Sequence, residues 1–118
     1  MPFTAPGAAG GGIPISTPFT YEDAGAADPR VVSSTDNAKA LGFDTSGGPR
    51  GVTLPSASAV GIRFSLALAD TTGDAFASNL TITADGTDTI QGAATIALAQ
   101  NYASIILVSN GVDGWIVL

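Results

Sequence analysis

The sequence has no cysteine and no histidine, and only four of its 118 residues are basic. Disulfide bonds and thiolate chemistry are therefore excluded, together with most zinc sites and the commonest general base. The cations Arg30, Lys39, Arg50 and Arg63 are scattered along a chain whose net charge is −6. Because they are too few to neutralise a run of phosphates, we expect no direct contact with nucleic acid.

Long apolar runs are also missing, and we expect no secretory leader. No stretch approaches the roughly 20 apolar residues that a membrane helix needs. The first residues have no basic start, and Pro6, Pro14 and a run of glycines interrupt the apolar core that a signal peptide requires. We therefore expect a chain with no membrane partner, made in the cytosol and kept there or assembled there into something larger.

Carboxylates are the remaining source of catalytic chemistry. Asp70 with Asp74, or Asp85 with Asp88, could serve as the two carboxylates of a glycosidase. Each pair lies in a Gly/Thr turn, where Asp is favoured because its side chain bonds to its own backbone. Neither turn contains a complete calcium-binding loop. The sequence therefore predicts no enzyme activity, no metal site and no cofactor.

Residues 1–18, MPFTAPGAAGGGIPISTP, carry no charge and follow neither a helical nor a strand period. This composition predicts an extended N-terminal arm, although a Gly/Pro-rich leader is also typical of a frayed terminus. Phe3, Ile13, Ile15 and Phe19 are spaced along it, and flexible Gly/Ser linkers usually lack such residues. We interpret these four as anchors for a groove on a neighbouring protein.

Residues 19–118 show the spacing of short strands and turns. Alternate residues from Ile62 to Leu68 are apolar, which predicts a strand with one buried face. Turn sequences recur at the roughly 8 to 12 residue spacing of all-β domains. One helical turn is expected at DNAKAL, with Asp36 as its cap. We predict an all-β fold over residues 19–118, a small β-sandwich or jelly-roll-like barrel.

The strongest strand signal is SIILVS, which contains Ile105, Ile106, Leu107 and Val108. It is apolar on both faces, so it is either a central strand or a strand with one face against another subunit. A chain this small that spends part of its length on an arm has little core, and oligomerisation is a common remedy. These four residues are therefore candidates for a subunit interface.

The aromatic residues are open to two interpretations. Trp115 could be an exposed platform for stacking a sugar, but the alternation of WIVL favours a place in the core or at its rim. Phe43, Phe64 and Phe76 are also predicted to be core residues.

Four features stand in order along the chain: DTSGG before TLPSA, a D-x-x-G-x-A turn, N-x-T-I-x-x-D-G followed by I-x-G, and S-N-G before W. In this succession residues 19–118 resemble a β module of tailed-phage virion proteins. It is similar to the C-terminal modules of head and tail fibres and to small capsid decoration, or cement, proteins. None of the four features is a catalytic signature.

The resemblance implies an all-β fold that is usually trimeric, with subunits packed around a three-fold axis. Fibre proteins normally carry long shafts before the module, whereas only a short arm precedes it here, which favours the decoration role. We expect a homotrimer on the capsid surface of the virion, bound to the major capsid protein through its arm. The alternative is a head-fibre or tail-fibre module that binds host surface carbohydrate through turns such as DTTGD, ADGTD and NGVDG.

Overall fold

A computed structural model describes residues 19–118 of the chain. The predicted arm, with the proposed anchors Phe3, Ile13 and Ile15, lies outside the described residues. Phe19 is the first described residue, and its side chain is on the surface.

Ten strands, one 3-10 turn and one turn of α-helix make up the described chain. The strands are β1 (Thr20–Gly25), β2 (Arg30–Val31), β3 (Lys39–Phe43), β4 (Arg50–Thr53), β5 (Ile62–Asp70), β6 (Leu80–Thr83), β7 (Thr89–Ile90), β8 (Thr95–Leu98), β9 (Ser104–Asn110) and β10 (Gly114–Val117). The 3-10 turn spans Ser34–Asp36 and the helical turn α1 spans Ala57–Val60. The prediction of an all-β fold is confirmed.

The chain alternates between two sheets as it advances. β1, β3 and β5 pair in parallel within a six-stranded sheet of order β1-β3-β5-β9-β10-β7. β2, β4 and β6 pair in parallel within a four-stranded sheet of order β2-β4-β6-β8. Successive coils therefore stack as in a solenoid, and the last strands extend both sheets, with β9 antiparallel to β5 and β8 antiparallel to β6.

These mixed, solenoid-like sheets do not confirm the finer prediction of a sandwich or jelly-roll-like barrel. Jelly rolls are built from antiparallel Greek keys, whereas the first six strands here pair only in parallel with one another. A period of two in the sequence shows which residues face the core, but it does not show which strand is the neighbour.

One apolar core fills the space between the two sheets. Alternate residues of β5 from Phe64 to Leu68 are buried, as the period predicts, and Leu80 of β6 belongs to the same cluster. Trp115 of β10 is 2% exposed, and its ring meets that of Phe64 edge-on with the centroids 5.8 Å apart. The core interpretation is therefore confirmed for Trp115 and Phe64, and also for Phe43, which is fully buried.

Two residues predicted to lie in the core are exposed. Ile62 was expected to share the buried face of β5, but a bulge separates Ile62 from Ser65, and Arg63 has a φ of 73°. The bulge shifts the pleat, so Ile62 points to solvent. Phe76 is also exposed, because it lies in a turn after β5 where no strand pairing directs it inward.

The helical turn predicted at DNAKAL is wrong. Lys39–Phe43 is strand β3, because Leu41 and Phe43 fill the core from this segment. The observed 3-10 turn lies earlier and is capped by Ser33, not by Asp36. The Asp36 carboxylate instead accepts a hydrogen bond of 3.0 Å from the Ser33 backbone N–H, which completes a capping box.

Candidate functional site

The outward surface of the six-stranded sheet is a continuous apolar face. Alternate residues of its strands point away from the core, and the strand register places them in rows. The middle row consists of Tyr21, Ala40, Ala67, Ile106 and Leu118. The flanking rows add Gly42, Ala69, Ser104, Ser65, Val108 and Ile116. We call the surface formed by these eleven residues the outer face.

A groove of about 380 Å³ crosses the outer face. Its floor is formed by the small side chains of Ala40, Ala67 and Ala69, and its sides by Tyr21 on β1 and Ile106 on β9. Because alanine side chains stand between larger apolar ones, the sheet presents a channel instead of a flat surface. An extended peptide with aliphatic side chains fits such a channel.

Gly42 determines where the Tyr21 side of this groove lies. A Cβ atom at Gly42 would stand 2.5 Å from the Tyr21 hydroxyl oxygen and 2.9 Å from its Cε1 atom, so the phenol occupies the space above the glycine. Tyr21 nevertheless remains 61% exposed. The missing side chain at Gly42 therefore lets a tyrosine of the edge strand border the groove while one side of its ring stays open to solvent.

The four residues predicted as a subunit interface divide between the two faces of β9. Leu107 is fully buried in the core, and Ile105 is partly buried against the core cluster. Ile106 and Val108 point outward into the outer face. β9 is a central strand between β5 and β10, and its outward residues Ile106 and Val108 are partly exposed. The central-strand alternative is therefore confirmed, and contact of the outward face with another subunit stays a prediction.

The charged residues that border the outer face lie at its margins. Asp23 is on the edge strand β1, where its carboxylate accepts a hydrogen bond from the Gly25 N–H at 2.8 Å. Arg63 lies beyond the bulge at the start of β5. The eleven residues of the outer face carry no ionised side chain at neutral pH. A continuous apolar patch of this kind marks an interaction site.

Four other charged side chains form a closed network at one end of the core. Arg30 donates to Glu22 at 2.6 Å and to Asp36 at 2.9 Å. Lys39 Nζ donates to the same two carboxylates at 2.8 Å and 3.0 Å. Because β1 and β2 are edge strands of their sheets, this network lies where a further coil would stack. A polar end of this kind discourages end-to-end addition of another copy.

The network lowers the pKa values of its carboxyl groups. The hydrogen bond from Lys39 is the main cause for Glu22, followed by that from Arg30. Burial alone would raise the pKa of Asp36, but hydrogen bonds from the Ser33 backbone and Lys39, together with the charge of Arg30, outweigh it. The pKa of Lys39 is raised, chiefly by Glu22. The four charged groups therefore interact chiefly with one another.

Asp70 organises the loops at the end of β5. It is 3% exposed, and its carboxylate accepts hydrogen bonds of 2.8 to 3.1 Å. The donors are the Thr45 hydroxyl and the backbone N–H groups of Thr72, Gly73, Ala75 and Tyr102. Burial would raise the pKa of Asp70, but these donors, with the Tyr102 N–H foremost, hold it well below its usual value. The turn interpretation is confirmed for Asp70.

Another candidate carboxylate, that of Asp88, has a structural contact. Asp88 Oδ2 accepts a hydrogen bond of 2.9 Å from the Ala57 N–H, so it fixes α1 to a distant turn. Within residues 19–118 no three carboxylates are grouped closely enough to hold a metal ion. The helices in that part of the chain are all too short or too polar to cross a membrane.

The loops held by Asp70 also expose two aromatic side chains. Tyr102 is 68% exposed and has a φ of 60°, an unusual backbone conformation for an aromatic residue. Its ring lies over Gly73, where a Cβ atom would stand 2.6 Å from the ring carbons Cε2 and Cζ. Phe76 is 70% exposed, and its N–H donates to Asn101 Oδ1 at 3.0 Å. This aromatic loop is a second exposed surface.

Sequence reasoning found only part of these surfaces. Ile106 and Val108 were named from the SIILVS run, but the groove residues Tyr21, Ala40 and Ala67 were not. The small residues at alternate positions of IRFSLALAD were the available signal, because outward alanines leave a sheet face open. No protein-family model matches the sequence, and no curated protein matches it significantly. The assignment of function therefore depends on the geometry of the sheet and loops.

Proposed function

We propose that this chain is a structural protein of a tailed-phage virion that decorates the capsid surface as a homotrimer. The outer face is the contact between sister chains, and residues 1–18 anchor the trimer to the major capsid protein across the joints between capsid subunits. The chain is made in the bacterial cytoplasm and acts on the assembled head. The observation that carries the proposal is the uncharged outer face.

The size of the outer face supports a role for the arm. Five strands about 4.8 Å apart, each followed along about five residues of its length, give a projected area of roughly 400 Å². A stable interface buries about 800 Å² on each partner. The outer face therefore provides about half of a standard interface, and further apolar surface has to come from elsewhere in the chain. Phe3, Ile13 and Ile15 of the uncharged N-terminal segment add apolar burial to the assembled particle through their contact with the major capsid protein.

The ionisable groups also favour a structural role over catalysis. Asp70 and Asp36 are buried and bonded to backbone or to cations, and Glu22 belongs to the same ion network as Asp36. Their pKa values are lowered, whereas a general acid at neutral pH needs a raised one. The sequence offers no histidine or cysteine in their place.

Anchoring by the arm is tested with Phe3→Asp in the full chain. Capsids assembled without this protein are mixed with the purified chain and pelleted, and the bound fraction is measured. We expect Phe3→Asp to reduce binding at least about tenfold, because a carboxylate cannot enter an apolar groove without a partner. Phe76→Asp is the matched control, since Phe76 is exposed on a different surface. Equal binding of the two variants contradicts the anchoring role.

The aromatic loop favours a second candidate function, the recognition of host carbohydrate by a fibre module. Tyr102 and Phe76 lie on the DTTGD side of the molecule, next to the polar side chain of Asn101. Exposed rings beside amide groups provide an apolar platform with polar contacts around it, as ligand sites require. Trp115, the other aromatic considered for this role, is in the core and does not take part.

The second candidate is tested with Tyr102→Asn. Asparagine tolerates a positive φ, so the variant removes the ring and keeps the loop. If the loop binds sugar, affinity for purified host surface polysaccharide falls at least about fivefold, since a stacked aromatic contributes about 1 kcal/mol beyond its buried area. Val31→Asn, exposed on β2 and outside both the outer face and the aromatic loop, is the control and leaves sugar affinity unchanged. No polysaccharide binding by the native chain eliminates this candidate.

A further inference from the structure

We infer that the free edge of strand β8 pairs with the same edge of a second copy of this chain, as two antiparallel strands related by a two-fold axis. β8 (Thr95–Leu98) is the last strand of the four-stranded sheet, and it pairs on one side only, with β6. The contact goes beyond the proposed function, because it joins copies through a surface that neither the outer face nor the arm uses.

The ladder between β6 and β8 shows which backbone groups of β8 are free. The Ala84 N–H donates to the Ala94 carbonyl at 3.0 Å, and hydrogen-bonded positions alternate along an antiparallel pair. Every second residue of β8 therefore bonds to β6, and the N–H and C=O groups of Thr95 and Ala97 point away from it. These four groups have no hydrogen-bond partner within residues 19–118. A row of such groups is a template for a further strand.

The described part of the chain has three other sheet edges, and each is closed, short or charged. β7 is closed by its own turn, because Ile90 and Ala93 exchange backbone hydrogen bonds of 2.7 Å and 3.0 Å. β1 contains two acidic residues, and β2 has only two residues, the first of which is Arg30 of the ion network. Such features protect an edge from strand addition. Residues 92–101, which contain β8, have neither a charge nor a proline.

These differences between the edges determine which edge of a second copy β8 can meet. Pairing of β8 with β2 of another molecule would join copies head to tail in an open filament. The charged network of Glu22, Arg30, Asp36 and Lys39 lies at that end and opposes it. Pairing of β8 with β8 uses the same edge on both molecules, so it closes after two copies. Neither edge carries a charge that would repel the other.

The side chains of β8 are complementary to those of a second β8. Ile96 and Leu98 are partly buried against the core, whereas Thr95 and Ala97 are exposed on the opposite side of the strand. A two-fold axis at Ala97 places Ile96 of each copy opposite Leu98 of the other, as a close pair without hydrogen bonds. Ala97 then lies opposite its own copy and exchanges both backbone hydrogen bonds with it. The axis therefore satisfies the free edge and covers the aliphatic side chains at the end of the core.

The contact is weak when it acts alone. A strand of four residues is about 13 Å long, so one added pair of strands buries far less than the roughly 800 Å² per partner of a stable interface. The pair therefore dissociates in dilute solution and forms where copies are concentrated or held side by side. The native mass of the dilute protein reports the contact between sister chains and not this one.

Because the native sequence has no cysteine, single introduced thiols test the contact directly. The full chain is prepared with Ala97→Cys or, as the matched control, with Thr95→Cys, and both positions are exposed on the same side of β8. In the proposed pair the two Ala97 Cα atoms are about 5.5 Å apart, which suits a disulfide, whereas the two Thr95 Cα atoms are about 14 Å apart. Concentrated protein is oxidised mildly, and covalent dimers are counted by mass spectrometry.

We expect Ala97→Cys to form covalent dimers at least tenfold faster than Thr95→Cys. Equal rates overturn the pairing, because they indicate random collision. Absence of dimers from both variants also overturns it. The same ratio is expected when Val108→Lys is added, since Val108 lies on the outer face of the other sheet. A failure of the contact between sister chains is therefore distinguished from a failure of the β8 pair.

A second measurement remains informative if the disulfide cannot form. Ala97→Lys and Ala97→Glu each place like charges opposite one another across the two-fold axis, whereas an equimolar mixture pairs opposite charges. In sedimentation equilibrium of concentrated protein, we expect the mixture to associate at least fivefold more strongly than either variant alone. Thr83→Lys and Thr83→Glu, on the neighbouring strand β6, are the controls and are expected to show no gain on mixing beyond that of any two oppositely charged chains. Equal gains at both positions contradict the pairing.

Discussion

Asp70→Asn is expected to lower the free energy of unfolding by about 3 kcal/mol, because it leaves buried donors facing an amide N–H₂ group. Thr72 and Gly73 donate to one carboxylate oxygen of Asp70, and Ala75 and Tyr102 donate to the other. An asparagine can accept on one side only, whichever way its amide is turned. Urea unfolding followed by circular dichroism measures the difference.

Asp85→Asn is the control for this substitution. Asp85 is exposed in the turn after β6, and its replacement removes the same charge without breaking a buried network. Its effect on stability is expected to remain within about 0.5 kcal/mol. Similar losses for the two variants indicate that net charge, and not the hydrogen bonds of Asp70, determines stability.

The pH dependence of stability gives an independent check of the hydrogen bonds to Asp70. Because folding lowers the pKa of Asp70, the carboxylate contributes stability above the ordinary Asp pKa of about 3.9 and loses it progressively at lower pH. The difference in stability between the native chain and Asp70→Asn is therefore expected to be constant near neutral pH and to shrink below about pH 4. A difference that grows on acidification contradicts the lowered pKa.

Trp115→Ala is expected to destabilise the domain by about 4 kcal/mol, because it removes the largest side chain of the core and leaves a cavity beside Phe64. Trp115→Phe is expected to lose less than half as much. The Trp115 Nε1–H finds no acceptor among the described residues, so the phenylalanine variant sacrifices no hydrogen bond to them. Thermal and urea unfolding of both variants measure these effects.

Ile116→Ala is the control, since Ile116 is the next residue of β10 and points to the outer face. Its effect on stability is expected to be below about 1 kcal/mol. A stable Trp115→Ala variant contradicts the place of this residue in the core and restores the interpretation of Trp115 as a ligand platform.

The sequence predicted the composition of the core better than the path of the chain. Phe64, Leu66 and Trp115 were identified because a period of two determines which side chains face inward. The parallel coils were not identified, since pairing between β1 and β3 depends on register across separate segments. Ile62 was misassigned for a local reason, because a bulge changes the face of a strand without changing its composition.

The candidate site shows the same limit. Outward residues of β9 such as Val108 were predicted from one apolar run. The groove combines residues from β1, β3, β5 and β9, and alanines in separate strands become its floor only when the register aligns them. The exposure of Tyr102 also depends on the distant carboxylate of Asp70, which holds its backbone. Contacts between segments far apart in sequence leave no periodic signal.

The outer face as the contact between sister chains is tested most directly by the native mass of Val108→Lys. Light scattering is expected to give three chains for the native protein and for Val112→Lys, which places the same charge in an exposed turn. Val108→Lys is expected to give the mass of one chain with an unchanged circular dichroism spectrum, since an unpaired ammonium group is costly to bury. A trimeric Val108→Lys variant, or a monomeric native chain, contradicts the proposal.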